Sequence, residues 1–206
     1  MIKLSVCIPV WNQEELVLRT LDHIPRRDDV EVLVRNDGST DNTLVNLIQY
    51  QLEHPELNLK VYSNGENYGM YYTLNRLLES AQGQFFHCHN SDDYVDTDIY
   101  NSLIDRLDDN IDVLGFDLRV NSGAVWRLNE QTNRTHCAQA IRFIRKKFVE
   151  GITYNEQMKA ASDWYYNEDM LKRNPRIVYS GAVAYMYNFP REGSLVDLRA
   201  RGLIGE

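Results

Sequence analysis

The chain has 206 residues and a net charge of −8. That suits one domain with a sizeable core, or one with a small second lobe, and argues against a non-specific nucleic-acid binder, whose surface is normally basic. No stretch approaches the roughly 18 apolar residues of a membrane helix, and the amino terminus runs into a strand-like segment without signal-peptide architecture, so the cytoplasm is the expected compartment.

Lys3 to Pro9 is apolar and β-rich, and Pro9-Val10-Trp11-Asn12 follows as a loop. Val17, Leu21 and Ile24 mark one face of a helix that Pro25 closes. A second strand, Val30 to Val34, runs into the turn-rich Asn36-Asp37-Gly38-Ser39-Thr40-Asp41-Asn42-Thr43. Leu44, Leu47, Ile48 and Leu52 form the apolar face expected of the next helix. Leu57 to Tyr62 is a third strand, and Met70, Leu74, Leu77 and Leu78 mark a third helix ending at Gln82-Gly83. A strand at Phe85-Phe86-His87-Cys88 precedes a helix carrying Tyr100, Leu103, Ile104 and Leu107, and Asp112 to Phe116 is a further strand. This alternation predicts an α/β fold, a mostly parallel sheet with helices on both faces. After about Asp117 it weakens. Val125 to Leu128 reads as a strand, and Ile141, Ile144 and Phe148 as one face of a helix whose other side is basic: Arg142, Arg145, Lys146 and Lys147. Glu156 to Arg173 reads as a helix broken near Asp163, Ile177 to Tyr187 as a last strand, and the tail from Arg199 as loosely held. Three cysteines, Cys7, Cys88 and Cys137, lack metal-site spacing, and an odd number suggests no disulfide framework. Cys7 and Cys88 lie in strand-like runs, where buried thiols are expected.

Three loops follow three of the parallel strands: Pro9 to Asn12, Asn36 to Asp41, and Asn90-Ser91-Asp92-Asp93. In an open α/β sheet the ligand sits beyond the carboxyl ends of the strands, which places Asp37, Asp92 and Asp93 around one cleft. Adjacent carboxylates repel unless something positive lies between them. A hard divalent cation that also bridges phosphate oxygens meets that need. The competing reading is a row of helix caps, Asp96 or Thr97 among them. His87 and His89 share a strand face, which fits a metal pair or two satisfied buried histidines. Trp126, Trp164, Tyr165 and Tyr166 offer flat faces to a sugar or base, or serve as core.

At these residues the sequence resembles the family-two glycosyltransferases of the GT-A fold. Ile8-Pro9-Val10-Trp11-Asn12 is similar to that family's I-P-x-Y/W-N opening, and Asn36-Asp37-Gly38-Ser39-Thr40-Asp41 to its D-D-G-S-T-D. Asn67-x-Gly69 with Asn75 matches N-x-G and a later Asn, and Asn90-Ser91-Asp92-Asp93 matches the D-x-D element. The match is good over roughly residues 3 to 116. It is looser beyond, through Ser162-Asp163-Trp164 and the ending from Tyr187 to Ser194. The resemblance implies a single GT-A (Rossmann-like) domain over 1–206, with a nucleotide-sugar-binding half at 1–116 and a small acceptor-binding lobe at 117–206.

It also implies a nucleotide-sugar donor, commonly UDP-linked, and a divalent metal, manganese or magnesium, held by Asp92 and Asp93. Pro9, Val10, Trp11, Asn12, Asp37, Asn67, Asn75, Asn90 and Ser91 would bind the donor, with Asp37 accepting the hydrogen of the pyrimidine imide. A metal neutralises the charge that develops on the leaving diphosphate. An acceptor hydroxyl needs a general base, and in inverting members this is an acid of the far lobe. Asp163 is the matching residue, with Glu168 and Asp169 as alternatives. Three positions depart from the pattern: Asn36 and Asn90 stand where the family usually has Asp, and Leu74 where many members have Arg. Those departures keep open a non-catalytic nucleotide-sugar- or glycan-binding protein. A nucleotidyltransferase ranks lower, because no Gly-rich phosphate loop with Lys or Arg follows the first strand. The acceptor is open among glycan, small molecule, protein and a hydroxylated nucleobase in DNA.

Overall fold

The computed structural model describes residues 1–128, 139–159, 161–189, 191–192, 197 and 201–202. Cys137, Ser194 and Arg199 lie outside the described residues. The first half is a regular alternation: β1 Leu4–Val10, α1 Leu16–Asp22, β2 Val30–Asn36, α2 Thr43–Glu53, β3 Leu59–Ser63, α3 Met70–Ser80 and β4 Phe85–Cys88. β1 pairs in parallel with β2 on one side and with β4 on the other, and β2 pairs in parallel with β3. The chain therefore builds outward from β1 to β3, and α3 carries it back across to β4 on the opposite side of β1. The winding reverses between β1 and β4, and a crevice at such a reversal is where open α/β sheets bind ligands.

The remaining elements are β5 Tyr94–Val95, α4 Thr97–Asp105, β6 Val113–Val120, β7 Val125–Trp126, β8 Arg142–Arg145, a 3-10 turn Lys146–Val149, α5 Ser162–Leu171 and β9 Ile177–Tyr187. The sheet runs on without a break as β3-β2-β1-β4-β8-β6-β9-β5, with β7 beside β6. β8 is antiparallel to β4 and β6, whereas β9 runs parallel to β6. Two apolar layers cover it. On one face Val17, Leu21, Leu47, Tyr100 and Leu103 of α1, α2 and α4 pack on Val6, Ile8 and Val32. On the other, Leu74, Leu77 and Met170 of α3 and α5 pack on Cys7, Leu33 and Cys88. Alternate residues of β1 and β2 thus face opposite layers, and these strands read as continuous apolar runs because both faces are covered. Cys7 and Cys88 are free and buried, and burial pushes both thiols up, Cys88 to about 12.

Three sequence expectations are corrected. Residues 141–148 do not form a basic amphipathic helix: β8 is an inner strand with Arg142, Phe143 and Ile144 buried, and Ile141 just before it is buried too. In a strand covered on both faces an apolar spacing of three or four is incidental. Arg142 enters the core by donating to Asn167 of α5, and burial lowers its guanidinium to about 10. α2 exists but turns a different side to the sheet: Thr43, Leu47 and Tyr50 are buried, while Ile48 is 47% and Leu52 77% exposed. Tyr50 anchors that side, donating to Asp22 at 2.8 Å and accepting from Arg26 at 2.9 Å. The helix expected from Glu156 begins at Ser162.

Candidate active site

The loop after β1 is fastened to the loop after β2. Asn12 sits at φ 50°, a left-handed conformation that Asn tolerates. Its carbonyl oxygen Oδ1 accepts from the Thr40 N–H at 2.8 Å, and its own N–H donates to Ser39 Oγ at 2.9 Å. Asn36 closes its own turn, accepting from the Ser39 N–H at 3.2 Å. Trp11 is 47% exposed at the rim.

Asp37 is buried, and its carboxylate takes three donors: the Asn64 amide at 2.8 Å and the Tyr68 and Gly69 N–H groups at 3.0 and 2.8 Å. A carboxylate has about four acceptor positions, so one stays open to a ligand N–H. Asn67 accepts from the Gly69 N–H at 3.0 Å and is exposed, so it shapes the turn into α3. Asn75 is buried, donating to the Tyr154 carbonyl at 2.9 Å and Glu156 at 2.8 Å, and accepting from the Tyr154 N–H at 2.9 Å. Asn75 thus ties α3 to the segment that precedes α5.

Gly38 tests this construction. Its φ is +66°, and a Cβ there would lie 2.3 Å from the Glu66 carbonyl carbon and 2.6 Å from the Asn67 nitrogen. Gly38→Ala must strain the turn or displace the segment that Asp37 holds, at about 1–3 kcal/mol. Thermal melts should show a drop of several degrees, since about 1 kcal/mol shifts a chain of this size by roughly 2–4 °C. An unchanged melting temperature would show that the two loops are not locked together.

At the end of β4 the polar quartet splits in two directions. Asp93 turns inward and is 1% exposed. It accepts from Tyr185 OH at 2.6 Å, the Asn90 amide at 2.8 Å and the Asn188 N–H at 2.8 Å. Burial first, and the charge of Asp92 second, push its carboxyl up to about 7. Ser91 is nearly buried, and its carbonyl accepts from Thr20 Oγ1 of α1 at 3.0 Å. Asp92 faces out and accepts from Arg191 Nε at 3.1 Å and its second nitrogen at 2.7 Å, both on one oxygen. Among the described residues no group of three or more His, Cys, Asp and Glu side chains could hold a metal ion. Among the described residues no donor reaches the second carboxylate oxygen of Asp92, which fits an ion that arrives with a diphosphate and takes one or two protein carboxylates. His87 is satisfied and buried, between Tyr100 OH and the Ala140 carbonyl, each at 2.7 Å.

Asp163 comes from the first turn of α5 but does not cap it. Ala161 occupies the cap with no side-chain bond. The Asp163 carboxylate instead accepts from Tyr71 OH of α3 at 3.3 Å. Burial, and then the Asp163 charge, raise that phenol to about 12. Asp163 lines a cavity of about 110 Å³ together with Pro9, Leu74, His89, Asn90 and Tyr154. The expected base and two residues of the rim loops thus meet where the winding reverses. Asp169 pairs with Lys172 at 2.7 Å, and neither it nor Glu168 lines this cavity. Trp164 and Tyr165 are exposed, whereas Tyr166 stacks on Tyr154 at 4.4 Å and Trp126 packs on Tyr187 and Phe189. A larger cavity, about 620 Å³, borders Asn75, Phe86, Val149 and Tyr166, and none of the other expected site residues.

Sequence reasoning missed Arg191, Tyr185, Tyr71 and Tyr154. No local pattern marks them, because each acts on a residue that is distant in the chain.

The family model described as Glycosyl transferase family 2 matches residues 5–174. The poly(ribitol-phosphate) beta-N-acetylglucosaminyltransferase TarS of Staphylococcus aureus is 26% identical over 216 residues, 94% of this chain and 36% of that protein. This chain thus spans about a third of the length of that curated relative. The solved structure of S. aureus TarS 1-349 in complex with UDP-GlcNAc is similar with a TM-score of 0.80 at 26% identity, over 94% of this chain and 60% of that one. The mannosyltransferase PcManGT from Pyrobaculum calidifontis, solved with GDP-Man and Mn2+, shares the fold with a TM-score of 0.73 at 19% identity, over 99% of this chain and 65% of that one.

Proposed function

The chain belongs to glycosyltransferase family 2, and from that premise we propose that it moves a sugar from a UDP-sugar to a hydroxyl acceptor, with inversion, using Asp163 as general base. The observation that carries this reading is the cavity at the β1–β4 reversal, which brings Pro9, Asn90 and Asp163 together. The name of TarS, similar along 94% of this chain, supports N-acetylglucosamine as the first sugar to try.

Asp37 offers its remaining acceptor position to the pyrimidine imide. Trp11 and the loop Asn12 locks flank the nucleotide. Asp163 takes the proton of the acceptor hydroxyl while that oxygen bonds to the anomeric carbon, and the bond from that carbon to the diphosphate oxygen breaks with its electrons going to the diphosphate. Tyr71 holds Asp163 in place. Asp92 would hold manganese or magnesium with the donor's phosphate oxygens; when bound, the ion neutralises charge on the leaving group. Arg191, already on Asp92, adds a fixed positive charge beside it. Asp93 positions Asn90 and the segment after β9, and any role at the ion passes through that scaffold.

The test is to incubate the protein with a panel of nucleotide-sugars, manganese and candidate hydroxyl acceptors, and to measure free nucleoside diphosphate. Release of UDP supports the reading; no release from any donor with any acceptor contradicts it.

Asn90 provides a separate check on the ion. Its amide donates to Asp93 at 2.8 Å, so Asn90→Asp would set a carboxylate against a buried carboxylate. The variant should melt lower than the parent without metal, regain the loss when manganese is added, and bind manganese more tightly. An unchanged or weaker manganese constant would show that residue 90 does not face the ion.

A further inference from the structure

Two residues that line the cavity at the β1–β4 reversal carry buried polar atoms with no partner among the described residues: Nε2 of His89 and both amide atoms of Gln139. His89 is 1% exposed and Gln139 7%. Buried polar groups are nearly always hydrogen-bonded, and leaving one unmet costs about 1–3 kcal/mol. Three such atoms around one small cavity mark a place shaped for a polar occupant.

The chemistry of that occupant can be read from the atoms. Nδ1 of His89 lies 2.7 Å from the Asn90 carbonyl, which can only accept, so the proton is on Nδ1 and Nε2 presents a lone pair. Burial holds this imidazole down to about 4, so it is neutral. Gln139 brings one NH₂ donor and one carbonyl acceptor. The walls between them include Leu74 and Ala140. A secondary amide with a methyl end meets two of the three: its carbonyl accepts from Gln139 Nε2, its N–H donates to His89 Nε2, and its methyl suits the apolar wall. Asp163 lines the same cavity and Asp37 does not, so the occupant belongs to the sugar end of the donor and not to its pyrimidine.

We propose that His89 and Gln139 read the transferred sugar by hydrogen-bonding an acetamido substituent on its ring, and so select an N-acetylated sugar over the plain hexose. This rests on the nucleotide-sugar reading above. A site built to hydrogen-bond a substrate group rejects the analogue lacking it, because its own buried groups are then left unpaired.

Calorimetry with manganese present, titrating UDP, UDP-glucose and UDP-N-acetylglucosamine, tests this on the parent chain, His89→Leu, Gln139→Leu and His89→Gln. The parent should prefer UDP-N-acetylglucosamine to UDP-glucose by about tenfold or more. Each Leu variant should shrink that preference by about tenfold and leave UDP affinity within about twofold, while His89→Gln, which keeps an acceptor, should retain most of it. Equal affinity of the parent for the two sugars overturns the proposal without any variant having to fold. So does a Leu variant that weakens UDP and UDP-N-acetylglucosamine alike. In both cases UDP binding still stands and the donor-site reading survives. If the parent binds no UDP, the donor-site reading falls and this inference falls with it.

Discussion

Asp163→Asn should cut turnover by about 10²–10⁴-fold, the usual contribution of a positioned general base. Asn keeps the shape but cannot take the acceptor proton. The fold should hold, because Asp163 makes no capping bond and its hydrogen bond from Tyr71, at 3.3 Å, can pass to the Asn carbonyl. The loss of an acid from the first turn of α5 costs about 0.3–1 kcal/mol through the helix dipole. UDP affinity should not change, since the proposed role of Asp163 is at the sugar and not at the nucleotide. Paired measurements of steady-state rate and UDP binding check this. Turnover within a few-fold of the parent would move the base elsewhere, and a variant that unfolds would make Asp163 structural.

Asp92→Ala should lower turnover by about 10²–10³-fold, the scale of losing one electrostatic contact to a developing charge. It removes the carboxylate proposed for the ion and releases Arg191, whose guanidinium is bound to one Asp92 oxygen. UDP affinity with manganese should then fall to the value without it. The pair is about one-fifth exposed on both sides, so the melting temperature should drop only a few degrees. Near-normal turnover, or a manganese effect that survives, would remove Asp92 from the site.

The half of the fold that builds the rim was legible because its elements are local. Apolar runs followed by turn residues and then by residues at helical spacing mark β1 through α3, although β1 continues through Pro9, where the sequence suggested its end, to Val10. The second half was less so. β8 lies between β4 and β6 and is buried on both sides, so Ile141, Ile144 and Phe148 imitate a helix face. β5 has two residues and exists because it pairs with β9 at Tyr94 and Met186. α2 shows the same limit in a helix: Leu44, Leu47, Ile48 and Leu52 read as its inner face, whereas Thr43, Leu47 and Tyr50 are the buried residues and Tyr50 is bonded to Asp22 and Arg26.

The site was legible in its backbone loops and not in its partners. Asp37, Asn90 and Asp92 stand at strand ends, where the sequence order puts them. What each carboxylate does is set by residues far along the chain: Tyr185 on Asp93, Arg191 on Asp92, Tyr71 on Asp163. Asp163 itself was reached through a family resemblance, and the bond to Tyr71 together with the shared cavity gives it a physical place. His89 and Gln139 carried no such signal. Their unmet atoms become visible once β4 and the residues before β8 are brought together.

The central claim, a nucleotide-sugar site at the carboxyl ends of β1, β2 and β4, is tested most directly by calorimetric titration of UDP into the parent chain and into Asp37→Ala, each with and without manganese. The parent should bind UDP one-to-one and more tightly with manganese, and Asp37→Ala, which loses the imide acceptor and releases the 64–69 segment, should bind at least about tenfold more weakly. Absence of UDP binding to the parent with manganese present, or equal affinity in Asp37→Ala, would contradict the account.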